Sequence, residues 1–332
     1  MQPTSSIPQD RLSRNHASAS TAAGWSALPP EYRIPAVAPS LADAQAYCEK
    51  LARSHYENFS VATWFLPERL KQHFYNVYAY CRISDDLGDE VGDPQQSLAL
   101  LDEWEAELNS CYSGAPRHPV FVALAHTVRE FDIPKQTFAD LLTAFRQDQT
   151  VTRFATFDDL LAYCRYSANP VGHLVLHLGG YRDADRQRLS DFTCTALQLA
   201  NFWQDVYGDW QKGRVYIPQE DLQRFGVPED SIAQRRFSPQ FRDLMRFEVE
   251  RAREWFANGL PLIKQVSPDL ALDLELFSRG GQEILNAIEQ QDFDVLRSRP
   301  AISKPRKLWL VLRAALQKAG VRGQAEKERD RR

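Results

Sequence analysis

Apolar residues recur at three- and four-residue intervals along most of the chain, and alternation of period two never lasts more than a few residues. That spacing gathers apolar positions on one side of a helix, so the pattern predicts an all-α protein. Ser40 followed three residues later by Asp43 resembles a capping box, and Ala42, Ala46 and Leu51 continue as a helical face toward His55. Pro67 opens the next predicted helix, which runs through Val77, Tyr80 and Ile83 into an acidic cluster at Asp85. Further helical patterns cover roughly 95–110, 118–131, 135–148, 156–179 and 184–211. Gly213 and Pro218 then mark a loop, after which helices are predicted at about 238–264, 268–291 and 303–319, punctuated by Pro228, Pro261, Pro268 and Pro300. No fixed repeat period is present, so a single globular bundle with its sites between facing helices is expected rather than a solenoid.

Composition sharpens this picture at the ends of the chain. With 332 residues, 43% of them hydrophobic, the chain has material for a substantial core. The Ser-, Pro- and Ala-rich stretch from Met1 to Pro39 reads as a flexible leader, 40–319 as the folded domain and 320–332 as a charged flexible tail. Forty-four acidic against forty basic side chains leave a net charge of −4, which argues against nucleic acid as the main partner. Ser303 to Arg332 nevertheless carries +7, and the rest of the chain −11. In that basic end, Leu308, Trp309, Leu312 and Leu316 alternate with Lys307, Arg313 and Lys318. A last helix packed on the core is expected there, with peripheral contact at the inner face of a membrane as the alternative. Cys48, Cys81, Cys111, Cys164 and Cys194 form no CxxC pair and read as reduced core residues of a cytoplasmic protein. No secretory h-region and no run of eighteen apolar residues is found.

Two acidic clusters carry the candidate chemistry. Asp85 and Asp89 stand four apart in CRISDDLGDE, with Arg82 one turn earlier; Asn201, Asp205 and Asp209 recur every four residues in LANFWQDVYGDW, and Gln198 extends that row upstream. Residues four apart stack on one helical face about 6 Å apart along the axis. Concentrated negative charge on an apolar helix is costly unless a cation compensates it. Carboxylate oxygens suit hard cations, and two such rows facing each other would hold Mg²⁺ with positions left for a diphosphate. Asp86 and Glu90 read as merely solvated members of the first cluster, and a solvent-facing polar stripe is the plainer reading of either row taken alone.

Several neighbours are candidates to bind substrate. Arg214 and Tyr216 lie in the loop after the second row, where an Arg fork suits phosphate oxygens, although a surface role is the commoner outcome for a single Arg. His55, Glu57 and Asn58 precede the first acidic helix and are placed to face the mouth of a cavity. Phe59, Trp64, Phe74, Tyr78, Tyr80, Tyr163, Tyr166, Phe202 and Trp203 lie near these motifs; most are expected in the core, with a subset lining an apolar tunnel where ring faces steady a cation.

Taken in order, these segments resemble the squalene and phytoene synthase family from about Ser40 to Lys318. HYENFSVATWFLP is similar to its substrate-binding segment and YNVYAYCRISDDLGDE to its first Asp-rich motif. YCRYSANPVGHLVL looks like its Ala-x-x-Val-Gly helix, and LQLANFWQDVYGDWQKGRVYIP like its second Asp-rich motif and flap. The resemblance implies an isoprenoid synthase bundle with a central cavity. It also implies Mg²⁺ on Asp85, Asp89, Asn201, Asp205 and Asp209; Arg82, Gln198 and Arg214 near the diphosphate; and Tyr78 and Tyr163 as cavity tyrosines with catalytic roles alongside Arg82 and Gln198. His55, Asn58, Phe59, Tyr216 and Gly281 complete the implied substrate site.

Within the family, ENFSV, SANPVG, LQLANFWQDV, GRVYIP and the pair Gly280–Gly281 resemble in particular the hopanoid-pathway branch that turns presqualene diphosphate into hydroxysqualene. Compared with condensing members, Asn58 replaces a serine, Gln204 an arginine and Gly281 a tyrosine. Loss of a basic residue at Gln204 weighs against binding two diphosphates, and Gly281 is expected to leave room for a water. The resemblance thus implies presqualene diphosphate as substrate, with pathway enzymes as candidate partners. A synthase condensing two prenyl diphosphates is the second reading and a non-enzymatic helical scaffold the third, against which the retention of both ligand rows argues.

Overall fold

A computed structural model of the chain describes residues 24–54 and 66–303. Among these residues the regular structure is helical, and the only β pairing is an isolated parallel bridge between Arg153 and Val215. Helices α1 (Leu41–Ser54), α2 (Glu68–Asp89), α3 (Pro94–Ser113), α4 (Pro119–Phe131) and α5 (Lys135–Gln147) gather around one core. Helices α6 (Phe157–Ser167), α7 (Asn169–Leu178), α8 (Ala184–Gln204), α9 (Val206–Gln211), α10 (Gln219–Arg224), α11 (Asp230–Ala233), α12 (Pro239–Gly259) and α13 (Pro268–Gln290) follow, and most of them share a second. The cores are stitched together: Leu174 and Leu178 of α7 pack into the first, and Ala144 of α5 packs into the second. In the first half α2 lies along α1 and α4, and in the second α8 lies between α12 and α13.

Local sequence sets most of the helix ends. Asp93 accepts from the Gln96 amide at 2.8 Å to start α3, Asp183 accepts from Arg186 at 3.0 Å to start α8, and Ser238 accepts from Phe241 at 3.1 Å to start α12. Thr156 and Asp159 form a full capping box at α6, and Ser40 accepts from Asp43 at 3.2 Å as its spacing predicts. Along α3, Leu100, Leu101, Trp104, Leu108 and Cys111 repeat at helical spacing and are all buried. Buried aromatic residues contribute roughly 1.5–3 kcal/mol each through apolar area, provided their polar ends find partners. Trp104 Nε1 donates to Ser84 Oγ at 2.9 Å and the Tyr80 hydroxyl to the Phe138 carbonyl at 2.8 Å.

Three expectations from the sequence are revised. The helix predicted over 156–179 divides at Ala168, because Pro170 lacks the amide that a continuous helix would need and sits in the first turn of α7 instead. The helix predicted over 184–211 divides at Asp205, yet the bonds from Asp205 N to Asn201 O (3.0 Å) and from Asp209 N to Asp205 O (2.8 Å) carry the polar row across the break. The sequence places the onset of order near Ser40, whereas Trp25, Leu28 and Tyr32 are buried in the first core. The predicted last helix at 303–319 and the charged tail lie outside the described residues, apart from Ser303 itself. No helix among the described residues is long and apolar enough to cross a membrane. All five cysteines stand free on helices, three of them buried.

Candidate active site

The first acidic row occupies the last turns of α2, and the second spans the α8–α9 junction. A loop from Lys212 to Pro218 brings them together. Its backbone is held by the neighbouring strand-like segment: Val215 N donates to Thr152 O and Gln219 N to Phe154 O, both at 2.9 Å, and Arg153 Nη1 donates to Gly213 O at 2.6 Å. From that platform Arg214 Nη2 reaches Asp89 Oδ1 at 3.0 Å and Lys212 Nζ approaches Asp89 Oδ2 at 3.4 Å. Side chains 125 and 123 residues from Asp89 thereby tie the second motif to the first.

The electrostatics bear the mark of convergence. Asp209 is pushed up to about 7, chiefly by burial and then by Asp205, with Asp89 across the cleft adding to it and Lys212 and Arg214 opposing. Asp85 rises to about 6 through desolvation and the neighbouring Asp89, against Arg82 and Lys212. Burial weighs against charge on Arg214, but Tyr216, Asp89 and Asp148 push its pKa above the ordinary arginine value. The grouping contains six carboxylates, Asp85, Asp86, Asp89, Asp148, Asp205 and Asp209, against four cations, Arg82, Lys212, Arg214 and Arg299. Asp209 Oδ2 is buried and has no hydrogen-bond partner among the described residues. An excess of partly buried carboxylates over cations, with one unanswered carboxylate oxygen, fits a hard divalent cation.

Asp86 departs from the sequence reading. It is buried, accepting from the Tyr32 hydroxyl at 2.8 Å and from Arg82 Nε at 3.0 Å, with a second Arg82 nitrogen on its other oxygen. Arg82 also lies 3.6 Å from Asp85, so it is oriented by one carboxylate beside another. Glu90 is exposed, as expected. In the second row Asn201 is exposed and Gln198 half-buried. Asp205 is held by Arg299, whose Nη2 donates to Oδ2 at 2.7 Å. Gln204 is buried rather than facing the row: its Nε2 donates to the Pro300 carbonyl at 2.6 Å and its Oε1 accepts from Arg299 Nη2 at 3.0 Å.

Behind Arg214 lies an aromatic floor. Tyr216 stacks on Phe202 with ring centroids 3.8 Å apart, and Tyr163 and Phe154 flank the pair. The Tyr163 hydroxyl donates to Asp148 Oδ1 at 2.8 Å, and Arg214 also reaches the Asp148 carbonyl at 3.4 Å. Burial raises Asp148 to about 6, against the opposing pull of Arg214. The sequence reading missed this residue. A signal existed, because Asp148 caps the C-terminal end of α5, where the helix dipole disfavours a carboxylate. Gln149 anchors the same stretch to α2 by donating to the Gly88 carbonyl at 3.0 Å.

Tyr78 is half-buried on α2 one turn before Arg82, and burial raises its phenol. Gly281 contradicts the expectation of spare room. A Cβ there would lie 2.3 Å from Phe256 Cζ and 2.8 Å from Leu197 Cδ2, so the absent side chain lets α13 approach α12 and α8. His55, Asn58, Phe59 and the other members of their segment lie outside the described residues.

The family model for squalene/phytoene synthase matches residues 52–306, more than three quarters of the chain. The chain belongs to the squalene/phytoene synthase family. The 15-cis-phytoene synthase of Synechococcus elongatus is 31% identical over 281 residues, 81% of this chain and 91% of that protein. Among solved structures, squalene synthase HpnC from Alicyclobacillus acidocaldarius is 44% identical with a TM-score of 0.73, over 81% of this chain and 98% of that one. A dehydrosqualene synthase crystallised with a ligand is 29% identical with a TM-score of 0.75, over 83% of this chain and 96% of that one. The all-α isoprenoid synthase fold is shared with such neighbours. As a family member the chain is an isoprenoid synthase; the family acts on prenyl diphosphates and uses a divalent metal, typically Mg²⁺.

Proposed function

We propose that the chain converts presqualene diphosphate to hydroxysqualene, releasing diphosphate and capturing the resulting cation with water. In this reading Asp85, Asp89, Asn201, Asp205 and Asp209 hold Mg²⁺, which when bound stabilises the negative charge of the leaving group. Arg214, which donates to Asp89, would meet diphosphate oxygens with the rest of its donor fork. Arg82 is fixed by Asp86 in a charged, oriented state beside Asp85. As the carbon–oxygen bond breaks, its electron pair leaves with the diphosphate and a cyclopropylcarbinyl cation remains. The cation rearranges, opens its ring and bonds to a water oxygen, which then loses a proton. Ring faces such as those of Tyr163 and Phe202 favour the positive centre.

The observation that carries the choice of substrate is the neutral, buried amide of Gln204, at a position where the family resemblance implies an arginine in condensing members. The 44% likeness to squalene synthase HpnC supports a squalene-type skeleton, and formation of squalene itself would need a hydride in place of water. One observation favours a second reading, condensation of two prenyl diphosphates. Arg299 lies 3.0 Å from Gln204 and on Asp205, so a guanidinium reaches the same place from another part of the chain. Incubation with Mg²⁺ and either presqualene diphosphate or farnesyl diphosphate, without NADPH, separates the two. Hydroxysqualene from presqualene diphosphate, with farnesyl diphosphate unconsumed, is the expected result; turnover of farnesyl diphosphate to a condensed product would replace it with the second reading.

A further inference from the structure

A second group of metal-ligating side chains lies on α2 and α4, away from the acidic rows. His73 faces from α2, and His126 and Glu130 stand four apart on one face of α4. His73 precedes Asp85 by twelve residues, about 18 Å along the helix axis. Nε2 of His73 is 3.4 Å and Nδ1 of His126 is 3.6 Å from the same oxygen, Glu130 Oε2, and the three ligand atoms all lie within 4.8 Å of one another. Tetrahedral zinc with bonds of about 2.0–2.2 Å sets its ligand atoms roughly 3.3–3.6 Å apart. Two edges of that tetrahedron already have this length; the His73 and His126 rings lie nearly parallel with centroids 5.6 Å apart, so the third edge closes when the half-exposed His126 ring turns toward the ion.

The hydrogen bonds around the group leave nitrogens of both rings and Glu130 Oε2 without a closer partner. His73 Nδ1 is 3.1 Å from Thr127 Oγ1, which also receives Asn76 Nδ2 at 3.0 Å and directs its own hydrogen at the Ala123 carbonyl at 3.5 Å. With the Thr127 hydrogen on the Ala123 carbonyl, the His73 proton sits on Nδ1 and the Nε2 lone pair turns toward Glu130. An outer partner on one ring nitrogen is what orients a metal-binding histidine. Burial lowers the His73 pKa and favours the neutral, ligating form. His126 Nδ1 is buried without a hydrogen-bond partner among the described residues. A proton on His73 Nε2 would satisfy that ring and Glu130, but it would leave His126 unanswered. A cation answers all three atoms.

We infer that His73, His126 and Glu130 form a binding site for a borderline divalent cation of the zinc type, fastening α2 to α4 and distinct from the magnesium-binding rows. Imidazole nitrogens with one carboxylate oxygen suit zinc rather than magnesium. Phe131 walls one side with its ring centroid 4.7 Å from that of His73, while His126 and Glu130 keep 41% and 49% of their side-chain surface open, giving an entry route and a fourth position for water.

The test uses the full chain without a polyhistidine tag, stripped with a chelator and held in saturating Mg²⁺ so that the acidic rows are occupied. Zn²⁺ is titrated against a chromophoric chelator, and Co²⁺ is followed by its visible absorption. One equivalent bound per chain, a tetrahedral Co²⁺ spectrum and a Zn²⁺-dependent rise in Tm are expected. His126→Ala and Glu130→Gln, both at the open side of the site, should each weaken Zn²⁺ binding by about tenfold or more, and His126→Ala should leave Mg²⁺-dependent turnover unchanged. Absence of stoichiometric binding to the parent chain, or binding that survives undiminished in both variants, would overturn the assignment.

Discussion

Arg214 donates to Asp89 over 3.0 Å, and this contact joins the loop behind the second acidic row to the helix that carries the first. The same Nη2 also reaches the Asp148 carbonyl at 3.4 Å, so one side chain ties the two rows together, and in the proposed function it also meets the diphosphate. Lysine at this position keeps the charge but loses the planar fork. Arg214→Lys is expected to retain the helical circular dichroism signal and to lower kcat/KM for the prenyl diphosphate by about tenfold or more, since a charge-assisted hydrogen bond contributes about 1.5–3 kcal/mol. Steady-state kinetics at saturating Mg²⁺ check this; parental values would show that Arg214 serves the loop alone.

Close packing at Gly281 gives a stability prediction with a definite sign. Because an added Cβ meets Phe256 and Leu197, Gly281→Ala is expected to destabilise the chain by about 1–3 kcal/mol. Pairing it with Phe256→Leu removes the ring that blocks the methyl and should recover part of the loss relative to the sum of the single substitutions. Urea unfolding of the four chains measures the coupling. Strict additivity would mean that α13 simply shifts away.

Tyr32 stabilises the first acidic motif from a segment that composition assigns to a leader. Tyr32→Phe removes the 2.8 Å donor to buried Asp86 and leaves that carboxylate to Arg82. A loss of about 1–3 kcal/mol in urea unfolding is expected from the incompletely satisfied group. An unchanged unfolding midpoint would show that Arg82 suffices.

These cases show what the sequence could and could not reveal. Helix identities were legible because apolar spacing is a local property, and Ser40 with Asp43 marked a helix start correctly. The break before Asn169 was also written locally, in Pro170, and was overlooked because the apolar period continues through it. The break at Asp205 was not. Its partner Arg299 is 94 residues away, and no nearby proline announces it. The two acidic rows were visible from spacing, but their meeting through Lys212 and Arg214 is tertiary, as is the exchange of solvent for Tyr32 and Arg82 around Asp86. At Gly281 the missing side chain was read as empty space when a neighbouring ring fills it.

Acid sensitivity follows from His118. It is buried at the start of α4, where Nδ1 accepts the Val120 amide at 3.2 Å, and burial lowers its pKa from 6.5 to about 3. The unfolded chain takes up this proton near pH 6.5 and the folded chain only near 3, so the contribution is complete above 6.5 and is lost progressively as pH falls toward 3. His118→Asn keeps a capping acceptor without a titrating ring. Between about pH 7.5 and about pH 4.5 the parent should lose about 2–3 kcal/mol more unfolding free energy than the variant. Equal losses would mean that the folded chain accommodates a charged imidazole.

The proposed joint hold of both acidic rows on magnesium and diphosphate is tested most directly by calorimetric titration of inorganic pyrophosphate in saturating Mg²⁺. Binding is expected for the parent chain and not without the metal, and Asp89→Asn on α2 and Asp209→Asn on α9 should each weaken it by at least about tenfold. Parental affinity in either variant would contradict the account, because a site built on one row has no need of the other.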